Sequence, residues 1–417
     1  MSPSALPLPD PDRLAAGVAE LPSLTEPDRP GWTRRALGEV YRAGREDVAR
    51  RFREVGLETH LDAAGNVVGV LRGRDGGPAL VTGSHTDTVD GGGRFDGVVG
   101  VLGALAALEC AARAGRRFSH DVWVVDFYGE EPNEFGLSCL GSRAVTGALS
   151  ATDLERRDSS GRALGDAMEA AGLDPNGALV GRWRRSDLLA FVELHVEQGP
   201  RLESEGRAIG VVSSIAGVQR VIVSLSGRRD HAGTMPVELR HDAACAAAEV
   251  VLAVERIGRD GGVATAGRIE VAPGSLNVVP ERALVWVELR SVDDDWLERA
   301  GASLTTAARA AADARGVDCE LRWLSSVAPT PMASSVSGEI EAAARGLGHQ
   351  TLTLPSGAGH DSAHLARLAP TGMVFVPSRD GRSHCPEEWT DATELAVGAQ
   401  VLAESLLRLD TGSGAEA

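Results

Sequence analysis

Apolar residues recur at helical spacing between Thr33 and Gly56, at Leu37, Val40, Tyr41, Val48, Phe52 and Val55, which predicts an amphipathic helix. Short apolar runs then alternate with helical stretches. Leu57–Leu61, Asn66–Leu71, Ala79–Gly83 and Asp121–Tyr128 read as strands, with a small-residue helix from Val98 to Ala112 between the last two. Leu188–Leu194 is another strand, ending at His195. Continuously apolar strands alternating with helices predict an α/β sheet covered on both faces.

From about Val211 the rhythm changes. Gln219–Ser226 alternates like a half-exposed strand, and Val237–Ile257 reads as a long helix. Strands at Gly267–Val271 and Ala283–Arg290, a helix at Asp293–Arg315 and a strand at Cys319–Leu324 follow. The order β-α-β-β-α-β is the ferredoxin-like pattern of a compact insert. After Pro329 the α/β rhythm resumes, with a helix at Ser337–Leu347, a strand at Gly372–Val376 and a terminal helix at Thr393–Leu409. The expected organisation is a mixed-sheet α/β domain, residues 1–210 and 328–417, split around an α+β insert at 211–327. The tail 411–417 is expected to be disordered.

At 417 residues the chain is too long for one compact core. Apolar residues make up 43% but aromatics only 4%, so Ala, Gly and Val must carry the packing. The net charge of −17 comes with no basic cluster dense enough to track phosphates, which argues against nucleic acid. Five scattered cysteines make no disulfide framework and point to a reducing cytoplasm. Met1–Pro22 is Pro-rich and lacks the basic and apolar regions of a signal peptide. No apolar run approaches the roughly 20 residues of a membrane span.

Chemistry enters at the strand ends. Gly83-Ser84-His85-Thr86-Asp87-Thr88 closes one apolar run, and Phe95-Asp96-Gly97 follows on a Gly-rich loop. Imidazole and carboxylate suit zinc and similar divalent ions, and a carboxylate can bridge two of them. Asp87 is placed to accept the second ring N–H of His85, as outer-shell partners of metal-bound histidines do. The strand Asp121–Tyr128 runs into Glu130-Glu131, and adjacent carboxylates repel unless a cation or proton separates them. His195 ends a strand, and His384 follows Gly372–Val376 shortly after. Taken singly, each is better explained as a satisfied structural residue. Five such residues at strand ends of one sheet, His85, Asp96, Glu131, His195 and His384, point jointly to a two-metal site with a bridging Asp.

GSHTDTV, GRFDGVVGVLGALAALE, GEEPNEFGLSCLGSRAVTG, ELHVEQGP, RDHAGTMPVELRHDA, GSLNVVP and SGAGHDSAHLARLAPTGMVFVPSRDGRSHCPEEWT occur in that order. The set, spanning about residues 12–407, resembles the amidase/carbamoylase branch of the zinc-dependent aminoacylase–carboxypeptidase superfamily. That branch includes N-carbamoyl-L-amino-acid hydrolase, allantoate amidohydrolase and β-ureidopropionase. The resemblance implies that His85, Asp96 and His195 bind one metal, and Asp96, Glu131 and His384 the other. Glu130 would be the general base, taking a proton from a water between the ions and returning it to the leaving nitrogen. It implies two divalent ions per chain, zinc foremost, with manganese, cobalt or nickel as alternatives. His231 would reach a neighbouring subunit's oxyanion, which implies a homodimer through an insert that also serves as a lid. Asn277 and Arg290 would grip a substrate carboxylate. Gln198 and His360 would contact substrate. Without the resemblance, His231 reads as a surface-turn residue, Asn277 as a turn stabiliser and Arg290 as a strand-end surface residue.

The implied activity is metal-dependent cleavage of the carbamoyl or ureido bond of an N-carbamoyl amino acid or a relative such as allantoate. Hydrolysis of an N-acyl amino acid or dipeptide is the alternative, and a non-catalytic small-molecule-binding homologue the remote one. Two departures from the family pattern concern substrate. Pro132-Asn133-Glu134 replaces the usual Gly and basic residue, and Arg382 stands where an apolar residue is usual, facing either an acidic substrate group or solvent. Cys139 and Cys385 lack a dedicated His-Asn arrangement and read as packing residues.

Overall fold

The computed structural model describes residues 6–412. It divides into two compact units, one running to Ser213 and resuming at Met332, the other Ser214–Pro331.

In the first unit the strands Val122–Phe127, Ala79–His85, Leu188–Val196 and Thr371–Val376 lie side by side in that order, all parallel. Antiparallel strands flank them. Val67–Leu71 pairs with Val122–Phe127 and in turn with Glu58–Leu61, while Ile209–Ile215 pairs with Thr371–Val376. The sheet is therefore mixed, as expected. Its central strands are Val-rich and buried on both faces. Alternate residues serve opposite cores. Val192 and Leu194 pack with the helices Val98–Arg113 and Ala392–Asp410, and Phe127 and Phe191 with Leu140 and Met168. Each such side chain contributes about 1.5–3 kcal/mol on burial. The helix Val98–Arg113 can lie directly on the sheet because Gly100 lacks a Cβ, which would run into the Leu194 carbonyl and the Ser84 side chain. That close approach seats the Asp96 loop, at the helix N-terminus, against the ends of the strands.

The helix expected between Thr33 and Gly56 differs from expectation. It spans Glu39–Glu54 rather than starting at Thr33. Arg34 is buried, its Nε donating to the Thr86 carbonyl at 2.7 Å and its backbone N–H to Thr88 Oγ1 at 2.8 Å. This tie to the strand-end loop competes with helix formation. Upstream, Pro11–Glu20 is helical, capped by Asp10 with Pro at its first position. Thr411 and Gly412 form a turn, and the rest of the tail expected to be disordered lies outside the described residues.

The second unit holds the antiparallel strands Asp318–Val327, Gly217–Ser226, Arg282–Ser291 and Val263–Ala272 in that spatial order. The helices Ala243–Gly258 and Asp294–Asp313 pack on the face carrying Val221, Val223, Val285 and Val287. In chain order this is β-α-β-β-α-β. The helix expected from Val237 starts at Ala243, because Asp242 caps it through the N–H groups of Ala244 and Cys245. The strand expected at Gly267–Val271 extends over Val263–Ala272.

Candidate metal centre

Because the four central strands of the first unit are parallel, their carboxyl ends share one edge of the sheet, where α/β folds place their ligands. His85 and His195 lie in the last turns of two of these strands. Glu130 and Glu131 follow a third, and His384 follows the fourth. Asp96 stands among them on its loop. Its Oδ1 is 3.1 Å from His195 Nε2 and 3.9 Å from His85 Nε2, and its Oδ2 is 2.9 Å from His384 Nε2. Glu131 Oε1 lies 3.4 Å from that same nitrogen. Among the described residues, three donor groups have their ligand atoms within 4.8 Å of one another: Glu193–His195–His360, which lies behind His195, and two that share Asp96, His85–Asp96–His195 and Asp96–Glu131–His384. One carboxylate serves the latter two.

The residues present fit divalent cations. Each group offers imidazole and carboxylate together. His195 Nε2 and Glu131 Oε1 are buried and make no well-formed hydrogen bond, so both are free to ligate. Electrostatics point the same way. Burial, then the Asp96 charge, push Glu131 up to about 8. The hydrogen bond to Asp96 raises His384 to about 9, against the opposing effect of burial. Burial works against ionised Asp96, but His195 and His384 hold it well below the usual carboxylate range. Burial also drives Glu130 well above its ordinary value. Buried acids crowded in this way are what a divalent cation neutralises.

Local structure fixes these side chains. Gly97 has φ 65°, and a Cβ there would meet the His85 ring at 2.5 Å, so only glycine lets the Asp96 loop close over that histidine. His195 Nδ1 bonds the Val196 carbonyl at 2.9 Å. Asp87 stands beside His85 as expected, through its backbone as well as its carboxylate. The nearer partner of His85 Nδ1 is the Asp87 backbone carbonyl at 3.1 Å, with the carboxylate at 3.5 Å. The carboxylate also accepts the backbone N–H groups of Glu130 at 3.1 Å and Glu131 at 3.0 Å. Three non-glycine residues here, Cys139, Gln198 and His384, are left-handed with φ of 55–58°, a strain that clusters at functional sites.

Glu130 belongs to none of these donor groups. Its Oε2 lies 3.8 Å from His85 Nε2, and its Oε1 is 3.4 Å from Cys139 Sγ. Gln198 points into the centre, its Nε2 3.1 Å from Asp96 Oδ2 and 3.4 Å from His384 Nε2. His360 lies behind it, fully buried, its ring 4.6 Å from that of His195 and its Nε2 bonded to Ser356 Oγ at 2.7 Å. Arg382 is exposed and pairs with Glu387 at 3.0 Å. In the second unit His231 is exposed on a short strand paired with Val278, and Asn277 is its neighbour through the Ala232 N–H at 2.9 Å. Arg290 pairs with Glu288 at 2.6 Å.

Three buried carboxylates escaped sequence reasoning. Glu193 accepts from Ser84 Oγ at 2.7 Å and Ser362 Oγ at 2.6 Å. Asp361 bonds Ser142 Oγ, and Glu388 holds the backbone of the Asp96 loop. The available signal was a carboxylate inside or beside an apolar strand segment, as in Glu193-Leu194-His195.

Residues 81–408 match the profile described as peptidase family M20/M25/M40. The chain belongs to this family. It is 37% identical over 404 residues to N-carbamoyl-L-amino acid amidohydrolase of Geobacillus stearothermophilus, covering 96% of this chain and 99% of the relative. It is 35% identical to allantoate amidohydrolase of Bacillus subtilis, covering 85% and 87%. Among solved structures, a hydantoinase/carbamoylase family amidase from Burkholderia multivorans superposes with a TM-score of 0.86 at 33% identity, covering 96% of this chain and 98% of that one. Membership in the M20/M25/M40 family thus extends over both units. No helix among the described residues is long and apolar enough to cross a membrane.

Proposed function

We propose that this chain is a metal-dependent amidohydrolase that cleaves the carbamoyl or ureido C–N bond of an N-carbamoyl amino acid or a related ureido acid such as allantoate. The observation that carries the proposal is the Asp96 carboxylate, each oxygen facing a different set of His and Glu donors, with Glu130 left outside both sets. Relatives named for carbamoyl and allantoate substrates align over 96% and 85% of the chain, which supports the substrate class.

His85, Asp96 and His195 would hold one divalent ion, zinc foremost, and Asp96, Glu131 and His384 the other. Bound there, such ions acidify water and polarise the scissile carbonyl. Glu130 takes the proton of the attacking water at its carboxylate and returns it to the leaving nitrogen, a role open to it because no ligand set claims it. The Asp87 grip on the Glu130 and Glu131 N–H groups keeps base and ligand at fixed spacing. Gln198 bonds the substrate from within the centre, and His360 acts on the pocket through the His195 ring it packs against.

The proposal extends to the insert as a lid and dimerisation element. His231 would donate to the oxyanion in a neighbouring subunit, and Asn277 and Arg290 would grip the substrate carboxylate. The edge strand Val263–Ala272 supports dimerisation: it exposes Val263, Ile269 and Val271, and an exposed apolar edge is a template for strand pairing. The family description as a peptidase favours a second reading, N-acyl amino acid or dipeptide hydrolysis on the same centre. Release of ammonia, carbon dioxide and the free amine from an N-carbamoyl amino acid by the metal-loaded protein tests the proposal. Absence of ammonia, with turnover of N-acyl or dipeptide substrates, would replace it by the second reading.

A further inference from the structure

Glu388 lies four residues beyond His384 and is fully buried. A single carboxylate at this depth is stable only when its lone pairs are taken up by donors, and here both oxygens are used. Oε2 accepts the backbone N–H of Phe95 at 2.7 Å and of Asp96 at 3.1 Å. Oε1 accepts the hydroxyl of Ser383, the residue before His384, at 2.6 Å. One side chain thus joins the loop carrying Asp96 to the loop carrying His384. Glu388 stands 293 residues from Phe95 and 292 from Asp96 in the chain, so no local structure sets the spacing of the two loops.

Two further features hold Glu388 in place. A Cβ at Gly93 would overlap the Glu388 carboxylate, so Gly93 is the residue type that admits it. Its neighbour Trp389 packs edge-on against Phe95, ring centres 5.6 Å apart, and under the Arg94 guanidinium at 4.8 Å. Both loops meet on these contacts, and His384 adopts its left-handed φ of 55° beside them.

We propose that Glu388 is a positioning residue that sets the distance between Asp96 and His384, and with it the cation subsite that these two share with Glu131. The inference rests on the two-cation reading above. What matters is the reach of the carboxylate more than its charge. In Glu388→Gln, the amide oxygen can take the two backbone N–H groups and the amide nitrogen can donate to the Ser383 hydroxyl, so the clamp survives. In Glu388→Asp the charge survives but one methylene of reach is lost. Gly93→Ala leaves Glu388 itself intact and displaces it.

The test is titration of the full-length, metal-stripped protein with Co(II), read by visible absorption and by competition with a chromophoric chelator. Wild-type protein should take two ions. Glu388→Asp and Gly93→Ala should bind the weaker ion about 10- to 100-fold less tightly, the range for loss of an outer-shell partner, and retain the other. Glu388→Gln should stay within a few-fold of wild type. Ser383→Ala removes one of the three hydrogen bonds and gives a milder loss at the same ion, and it carries the test where the other variants lose their circular-dichroism signal. Two ions bound with wild-type affinity by Glu388→Asp, Gly93→Ala and Ser383→Ala would overturn the clamp while leaving the two-cation reading standing. Fewer than two ions on the wild-type protein would overturn that reading, and the clamp with it.

Discussion

Asp87 holds Glu131 by its backbone: Oδ2 of the first accepts the N–H of the second at 3.0 Å, while Oδ1 takes the N–H of Glu130 at 3.1 Å. A carboxylate is the one side chain of this size with two acceptor oxygens. In Asp87→Asn the amide nitrogen would face one of these N–H groups, donor against donor, and leave it buried and unsatisfied. The expected result is a fall of about 10- to 100-fold in metal affinity or turnover, measured by metal titration and steady-state kinetics on the same preparation.

Glu130 has no place in any of the donor groups. Glu130→Gln should therefore cut kcat by about 100- to 10,000-fold while the protein keeps its full complement of divalent ions by elemental analysis. Survival of activity would assign the base elsewhere.

Metal uptake should be coupled to proton release. His384, raised to about 9 by its bond to Asp96 despite burial, and Glu131, raised to about 8 by burial and the Asp96 charge, both carry protons at pH 7 that a cation must displace. Affinity should therefore rise with pH from 6 to 9 and fall on acidification. Calorimetry in buffers of different ionisation enthalpy measures the protons released, and a count of zero at pH 7 contradicts the prediction.

His364, which is in none of the donor groups, contributes an acid limit to stability. Burial, then Arg143 and Arg367, push it down to about 3, and its Nδ1 is buried without a partner. The unfolded chain binds this proton near pH 6.5, well before the folded one does. Stability is therefore lost as pH falls from 6.5 towards 3, by about 1.4 kcal/mol per pH unit from this group. His364→Gln should flatten the pH dependence of the thermal midpoint between pH 7 and 5 relative to wild type. Parallel curves would contradict it.

The two donor groups that share Asp96 were legible because their members stand at the ends of apolar runs or on the loops that follow them. A buried strand such as Leu188–Val196 is written in continuous apolar residues, and a His at its end stands out. The insert was legible for the same reason, its alternating strands and periodic helices being local patterns. Glu388 and Glu193 were not, because their partners lie far away in sequence and a carboxylate in isolation reads as solvated surface. Arg34 misled the helix start, since its bond to the Thr86 carbonyl depends on a loop more than fifty residues downstream. The burial of His360 against the His195 ring could not be foreseen either, because a small-residue loop gives no sign of which way its side chains face.

The most direct measurement is the comparison of kcat/KM for the N-carbamoyl and N-acetyl derivatives of the same amino acid, with allantoate and a dipeptide in parallel, on zinc-reconstituted protein. The highest value is expected for a carbamoyl or ureido substrate, abolished by chelation and restored by adding the metal back. Preference for the N-acetyl compound or the dipeptide, or turnover indifferent to chelation, would contradict the proposed function.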